Sequence, residues 1–473
     1  MPEVGAVRGE RYLLPEEPVT SVAAWRALGG GRGLEAARRL GPEFTIDEIS
    51  VAGLRGRGGG GFPTGRKWAG IRNQEGTHRY VVCNAAEGEP ATFKDRAILR
   101  RNPYQVVEGL AIAALTLDAR EVFVGIKAKF AVEIDHLTRA IAEMQAAGLA
   151  GAVPITVVEG PEEYLFGEEK AMLEVIEGRP PMPRLLPPYE HGLFATAPQL
   201  GWEPATPEPG PPEGQRSDRA RANPTLANNL ETLANVPHIL ARGASWYRTM
   251  GTVDSPGHHV MTVVGDVARP GYDEVDLGTP LSDVIEQVGG GPRDRAVPIK
   301  AVFSGVANAV VTADKLGTPV SYEAMAAVGS GMGAAGYAVY DETACMVELA
   351  FQFSRFLYVE SCGQCPACKL GCQEITHRLN EIEACRGTEQ DVAVIGARLA
   401  EVTDANRCYL GTEEQILVRS ILRAFPEEFA AHLEGDCPLP RSDLVVPLIV
   451  DLADGVVTYD ERQARKQPDW TYE

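Results

Sequence analysis

The sequence predicts three folding units in a row: an α/β domain on a parallel sheet, a small α+β module of β-grasp type, and a helical C-terminal region that holds metal. Three observations carry this. Strand-like apolar runs at 80–83, 121–126 and 153–158 alternate with helical stretches at 105–117 and 131–147, the pattern of a parallel sheet with helices on its faces. Short strands at 260–264 and 274–275 flank a Pro270-Gly271 turn and precede a helical stretch at 281–288. Cys362, Cys365 and Cys368 then stand at C-x2-C-x2-C spacing in a region, 341–433, that is otherwise helical.

Taken in order, residues 34–40 have helical spacing, and Gly41-Pro42 stops that helix. Residues 54–68 follow, with six glycines among fifteen residues and arginines on either side. Glycine has no Cβ, so successive N–H groups can turn toward one anion and the chain can lie against it. A helix starting near Arg66 adds its positive end. The loop suits a phosphate or pyrophosphate. It is not a Walker loop, because Trp68 follows Lys67; Gly56-x-Gly58-x-x-Gly61 does fit the weaker dinucleotide pattern. Pro63, Phe62 and Trp68 suggest a rigid floor for a flat ring.

The 80–83 strand ends in Asn84-Ala85-Ala86-Glu87-Gly88-Glu89, and a strand end is where an α/β sheet places its ligand. Cys83 reads as a small core residue. Tyr164-Leu165-Phe166-Gly167-Glu168-Glu169 opens a helix running to about 177. Prolines crowd the excursion at 198–224, read as a spacer. Residues 223–232 start another helix, in which Asn228 and Asn229 either meet a polar ring edge or cap the helix. Glycines 329, 331, 333 and 336 read as turns.

The 473 residues allow about three domains. A net charge of −20 disfavours nucleic acid or anionic lipid as partner. Residues 1–19 carry acids and prolines, so no secretory leader is expected there. No uninterrupted apolar window of about 18 residues suggests a membrane span. Nine cysteines in so long a chain are no disulfide framework; five fall at 362–385, which reads as metal binding in a reducing, cytoplasmic compartment.

C-x2-C-x2-C gathers three sulfurs on one concave turn, the arrangement that holds three irons of a cubane. Structural zinc is the rival, although zinc sites usually use separated C-x2-C pairs. Cys372 would complete a ferredoxin run, in which the fourth cysteine commonly serves a second cluster. Cys345, Cys385, Cys408 and Cys437 also remain as fourth-ligand candidates.

Together these pieces resemble the F-type flavoprotein component of NADH–quinone oxidoreductase and the related diaphorase subunits of NAD-linked hydrogenases and formate dehydrogenases. The matching stretches are 55–68, 84–96, 164–169, 228–237, 360–368 and 408–411, in the family's order. The resemblance implies an N-terminal arm (1–32), a Rossmann-like FMN domain (33–245), a β-grasp domain (255–335), a helical [4Fe–4S] domain (340–435) and a tail (436–473). It implies that Gly56, Arg57, Gly58, Gly59, Gly60, Gly61, Lys67, Asn84, Glu87, Gly167, Glu168, Asn228, Asn229 and Thr232 serve FMN. It places NADH near Phe62, Glu89, Tyr164 and Glu169, and makes Cys408 the fourth ligand beside Cys362, Cys365 and Cys368. Cys345, Cys372, Cys385 and Cys437 become bystanders. No catalytic acid or base is expected, because hydride passes directly between stacked rings. A buried Glu169 carboxylate would repel the 2′-phosphate of NADPH. Expected partners are a thioredoxin-like [2Fe–2S] subunit and a further iron–sulfur subunit of a larger complex. Departures from the family pattern are Ala86 for aspartate, Ala91 for glycine, Leu186 for lysine and Ala69-Gly70 after Trp68. Ala86 and Leu186 motivate the alternative, a flavin and iron–sulfur relay or scaffold with weakened or lost nucleotide binding.

Overall fold

In the first domain four parallel strands are described: β1 (Tyr80–Ala85), β2 (Glu121–Lys127), β3 (Ile155–Gly160) and β4 (Thr225–Asn229), in the order β3-β2-β1-β4. The structure is a computed structural model and describes residues 11–74, 78–197, 221–439, 441 and 443–472. Strand β1 is central, pairing Cys83 with Val124 on one side and Asn228 on the other. Tyr80, Val81, Val82 and Cys83 are all buried, as befits a parallel strand covered on both faces. Helix Pro103–Leu117 is buried almost all round; Asn102 caps it through Gln105 N–H and proline takes its first position.

Two local expectations change. The helix expected from 223 is first a strand: residues 225–229 complete the edge of β1, and helix Leu230–Arg242 starts only after them, with the Asn229 side chain accepting from Glu231 N–H. Open backbone groups along β1 outweighed local helix preference. The stop at Gly41-Pro42 is a kink. Gly41 takes φ +76°, and helix Arg32–Ala52 resumes beyond it, because proline's fixed φ suits the first turn of a new helical segment. Residues 198–220 of the proline-rich excursion lie outside the described residues.

The second sheet runs β6-β5-β9-β7-β8, with β5 His258–Gly265, β6 Gly271–Asp276, β7 Ile299–Phe303, β8 Val311–Thr312 and β9 Gly336–Asp341. Strand β9 lies between β5, parallel, and β7, antiparallel. The module therefore extends past 335, since its middle strand is the last one made. Gly336 is a strand residue and not a turn. Helix Leu281–Gly289 packs Leu281, Val284, Ile285 and Val288 onto this sheet.

Five helices follow: Met346–Glu360, Pro366–Glu383, Glu389–Glu401, Leu410–Ala424 and Pro426–Leu433. The tail then turns back. Leu444, Val446, Ile449 and Leu452 are buried, and β10 (Ile449–Ala453) pairs with β11 (Val456–Tyr459). The last part of the tail is anchored: the Trp470 indole N–H donates to the Val359 carbonyl at 3.0 Å, and Lys466 is buried against Glu360 at 2.8 Å.

Candidate active site

The glycine loop is closed at its base by Gly56 N–H to the Phe62 carbonyl (2.9 Å) and Thr64 N–H to the Leu54 carbonyl (2.9 Å). Helix Thr64–Arg72 begins directly after it, two residues earlier than expected. Arg57 is buried under the loop. Its backbone N–H donates to Thr232 Oγ1 (2.8 Å), and its guanidinium donates to the Tyr247 and Tyr322 hydroxyls at 2.9 and 3.1 Å. The Tyr322 hydroxyl in turn donates to the Gly56 carbonyl (3.0 Å). Gly61 has φ +58°, and a Cβ there would lie 2.5 Å from the Tyr322 ring. Gly56, Arg57, Gly61 and Thr232 thus form the loop's foundation, while Gly58, Gly59 and Gly60 line a cavity.

That cavity has a volume of about 520 Å³, within the range of small-molecule sites. Asn84, Glu87, Glu89, Tyr164, Gly167, Glu168 and Asn229 line it, as does Cys408. Asn228 lies behind the wall, accepting from the Trp68 indole N–H at 2.8 Å. Trp68 is fully buried and is core, not a stacking floor. Phe62 is exposed, with the Arg66 guanidinium 5.7 Å from its ring centroid. Lys67 and Glu169 pair at 2.8 Å outside the lining, and the Glu169 side chain is 38% exposed; the expectation of a buried Glu169 is corrected. It opens helix Glu169–Ile176, where solvent reaches the first turn.

The sequence reading missed several residues here. Lys94, fully buried, reaches Asp95 (2.7 Å), Asn229 Oδ1 (3.0 Å) and Glu231 (3.1 Å). Burial pushes Asp95 up to about 6 against the pull of Lys94, while Asp95 and Glu231 keep Lys94 charged despite burial. The signal was a Lys-Asp-Arg triplet soon after a strand end. Glu413 joins from the helical region with no such local cue. Its Oε2 is buried without a hydrogen-bond partner among the described residues, as a group awaiting a ligand would be.

Several acids surround the Tyr164 segment. The Tyr164 hydroxyl meets Glu89 Oε2 at 2.7 Å and Glu413 Oε1 at 3.2 Å, and Glu89 Oε1 also accepts from Val306 N–H. One hydroxyl hydrogen cannot serve two carboxylates, so a second proton on the pair is required. Burial raises both acids, and the charge of Glu89 adds to the rise at Glu413. Glu168 caps its helix by accepting from Lys170 and Ala171 N–H at 2.9 Å each, yet burial pushes it up to about 7.

Cys362 and Cys365 lie in the loop between helices Met346–Glu360 and Pro366–Glu383, and Cys368 in the first turn of the second. Gln364 Nε2 donates to Cys362 Sγ (3.5 Å) and Arg407 N–H to Cys365 Sγ (3.4 Å), N–H contacts of the kind that tune cluster sulfurs. Cys368 interacts electrostatically with Cys365 and with Cys408. Cys372 lies fully buried one turn beyond Cys368. All nine cysteines are free. Glycines with open space beside a 520 Å³ cavity suit FMN, and N–H-bonded thiols suit a cluster. Ala91, where the family carries glycine, sits buried at φ +64°, a conformation costing an L-residue about 1 kcal/mol.

Sequence comparison agrees with this geometry. The family model described as Nuo51 FMN-binding domain matches residues 49–238, the NADH-ubiquinone oxidoreductase-F iron-sulfur binding region matches 348–432, and an SLBB domain matches 260–300. The chain is 36% identical over 424 residues to the F 2 subunit of the NADH-quinone oxidoreductase of Rhizobium meliloti, covering 86% of this chain and 94% of that one. It is 33% identical to the NADP-reducing hydrogenase subunit HndC of Solidesulfovibrio fructosivorans, covering 95% and 87%. Among solved structures, an NAD+-reducing [NiFe]-hydrogenase in the H2-reduced state aligns with a TM-score of 0.75 at 29% identity, covering 89% of this chain and 68% of that one. With a cofactor-domain match on each half and relatives aligned over nearly their whole length, the chain belongs to the family of NADH–quinone oxidoreductase F subunits, and it exchanges electrons between NADH and an iron–sulfur cluster through FMN.

Proposed function

We propose that FMN occupies the cavity lined by Gly58–Gly60, Asn84, Glu87, Gly167, Glu168 and Asn229, and that Cys362, Cys365, Cys368 and Cys408 hold the [4Fe–4S] cluster. The observation that carries this is Cys408 lining the same cavity as the glycine loop: one wall belongs to each cofactor domain. When bound, FMN accepts a hydride from nicotinamide and releases electrons singly, the form a cluster takes up. The protein's part is positioning. Gly58–Gly60 admit close approach of the nucleotide phosphate, and Lys94, fixed by Asp95 and Glu231, supplies buried positive charge. Glu89, Tyr164 and Glu413 hold a proton beside the reacting rings and can exchange it as the cavity's charge changes. Arg57, Gly56, Gly61, Thr232 and Asn228 support the loop from behind. NADH enters near Phe62, Glu89, Tyr164 and Glu169.

In this reading a Rossmann-like FMN domain, a β-grasp module and a helical cluster domain make up one electron path. It delivers to a thioredoxin-like [2Fe–2S] subunit and a further iron–sulfur subunit of a larger cytoplasmic complex. No helix among the described residues is long and apolar enough to cross a membrane.

Anaerobic titration of the FMN-loaded protein with NADH tests the assignment. Rapid flavin bleaching supports it. Flavin that dithionite reduces and NADH does not would instead support the relay alternative. Glu169, though partly exposed and paired with Lys67, still presents an acid at the entrance. In Glu169→Gln we expect kcat/KM for NADPH to rise on the order of tenfold, with a smaller change for NADH. An unchanged NADPH rate in ferricyanide assays would remove Glu169 from the discrimination.

A further inference from the structure

Cys345, His432 and Cys437 belong neither to the C-x2-C-x2-C run nor to the flavin cavity, yet their ligating atoms all lie within 4.8 Å of one another. They converge from separate places. Cys345 immediately precedes helix Met346–Glu360, His432 lies in the last turn of helix Pro426–Leu433, and Cys437 follows that helix. Cys345 and His432 are buried. His432 Nε2 is 3.6 Å from Cys345 Sγ, and Nδ1 is 2.8 Å from the Glu428 carbonyl oxygen. A carbonyl only accepts, so Nδ1 carries the hydrogen and Nε2 turns a lone pair toward the sulfur, the arrangement in which an imidazole ligates metal. The Cys345 and Cys437 sulfurs lie within 4.8 Å of each other. Cys385, just past helix Pro366–Glu383, lies outside this three-residue group, though near enough for its thiol to feel both sulfurs.

We propose that Cys345, His432 and Cys437 hold a second metal centre, a structural Zn²⁺ site, with Cys385 moving in as the fourth ligand to complete a Cys₃His set. Size argues for a single ion. Tetrahedral Zn–S bonds of about 2.3 Å place sulfurs roughly 3.7 Å apart, consistent with the 4.8 Å within which the ligating atoms of Cys345, His432 and Cys437 lie, whereas a cubane spreads its cysteines further. Four protein ligands leave no open position, so the ion is structural and not catalytic. Its place in the fold gives it a task. Helix Met346–Glu360 has 15 residues, about 22 Å at 1.5 Å each. Zinc grips one end of it; Ser361 and Cys362 follow the other. The ion ties together the ends of three bundle helices remote from the cluster loop, and holds the helix that leads into that loop.

Elemental analysis of purified holoprotein, loaded with FMN and cluster, tests this directly. One zinc per chain is expected beside the four irons of the cubane, and zinc-edge X-ray absorption is expected to show three sulfurs near about 2.3 Å and one nitrogen near about 2.0 Å. His432→Ala and Cys437→Ser should lose zinc and melt at lower temperature while keeping iron and flavin. Should those fail to fold, Cys385→Ser, at a ligand only partly buried, should yield folded protein that a chelator strips of zinc at least about tenfold faster than wild type. Cys372→Ser should keep its zinc. Zinc at background in wild-type holoprotein, iron in its place, or a Cys345–Cys437 disulfide in protein digested without reductant would each overturn the assignment. Zinc retention unaltered by Cys385→Ser would overturn the fourth ligand.

Discussion

Adjacent glycines in the loop answer to different constraints. A Cβ at Gly60 meets no protein atom within 4 Å, whereas one at Gly61 would sit 2.5 Å from the Tyr322 ring on a backbone at φ +58°. Gly60→Ala should therefore leave the melting temperature of flavin-free protein unchanged and weaken FMN binding about tenfold or more, read by fluorescence titration. Gly61→Ala should destabilise the flavin-free protein itself by about 1–3 kcal/mol. Equal effects of the two on FMN-free stability would contradict the placement of the cavity. His238 sits in the core beside the Tyr12 and Trp25 rings, its Nε2 2.8 Å from Gln105 Oε1. Burial lowers it to about 3 from an ordinary 6.5. Between those values the unfolded chain binds a proton that the native state refuses, so stability is lost as pH falls from 6.5 toward 3. His238→Gln should flatten that part of the stability–pH curve, by an amount on the order of 4 kcal/mol near pH 3, with the mutant–wild-type difference constant above pH 7.

Among elements, the glycine loop depends on a neighbour distant in sequence. Helix Tyr322–Ala327 supplies the hydroxyl that meets both Arg57 and the Gly56 carbonyl, and Glu323 pairs with Arg55. The second domain thereby holds the first domain's glycine loop in shape. Tyr322→Phe keeps the ring behind Gly61 and removes only the hydroxyl. Chemical denaturation should show a loss of about 1–2 kcal/mol, with faster FMN release in stopped-flow fluorescence. Unaltered FMN release would mean that the loop keeps its shape without this bond.

Across the whole molecule, the tail joins all the parts. Glu360, two residues before Cys362, accepts from Lys466 Nζ (2.8 Å), Gln463 Nε2 (3.2 Å) and Tyr164 N–H (3.0 Å). Arg96 pairs with Glu87 of the cavity wall and donates to the carbonyls of Ile449 and Val450 on β10. A buried carboxylate thus links the cluster loop, the flavin domain and the C-terminal strap. Lys466→Met leaves Glu360 charged and uncompensated, and should cost about 3–5 kcal/mol. Adding Glu360→Gln should restore part of that loss. A double mutant no more stable than Lys466→Met would mean that the two charges are not coupled.

The sequence by itself determined the local chemistry. Gly58–Gly60 without side chains, Asn84 and Glu87 at a strand end, and the C-x2-C-x2-C run are patterns whose meaning lies within a dozen residues, and they sufficed to point to a nucleotide site and a cluster. Only the tertiary structure decided which of those residues face the cavity. Arg57, Asn228 and Trp68 share the motifs but turn into the core, because buried polar groups and large rings find their partners there, in Tyr247, Tyr322 and each other. The strand at 225–229 likewise exists because β1 had an open edge. Glu413, Lys466 and the Cys345–His432–Cys437 group could not be read from spacing. Tyr164 is 249 residues from Glu413, Glu360 106 from Lys466 and Cys345 87 from His432, and only packing brings them together.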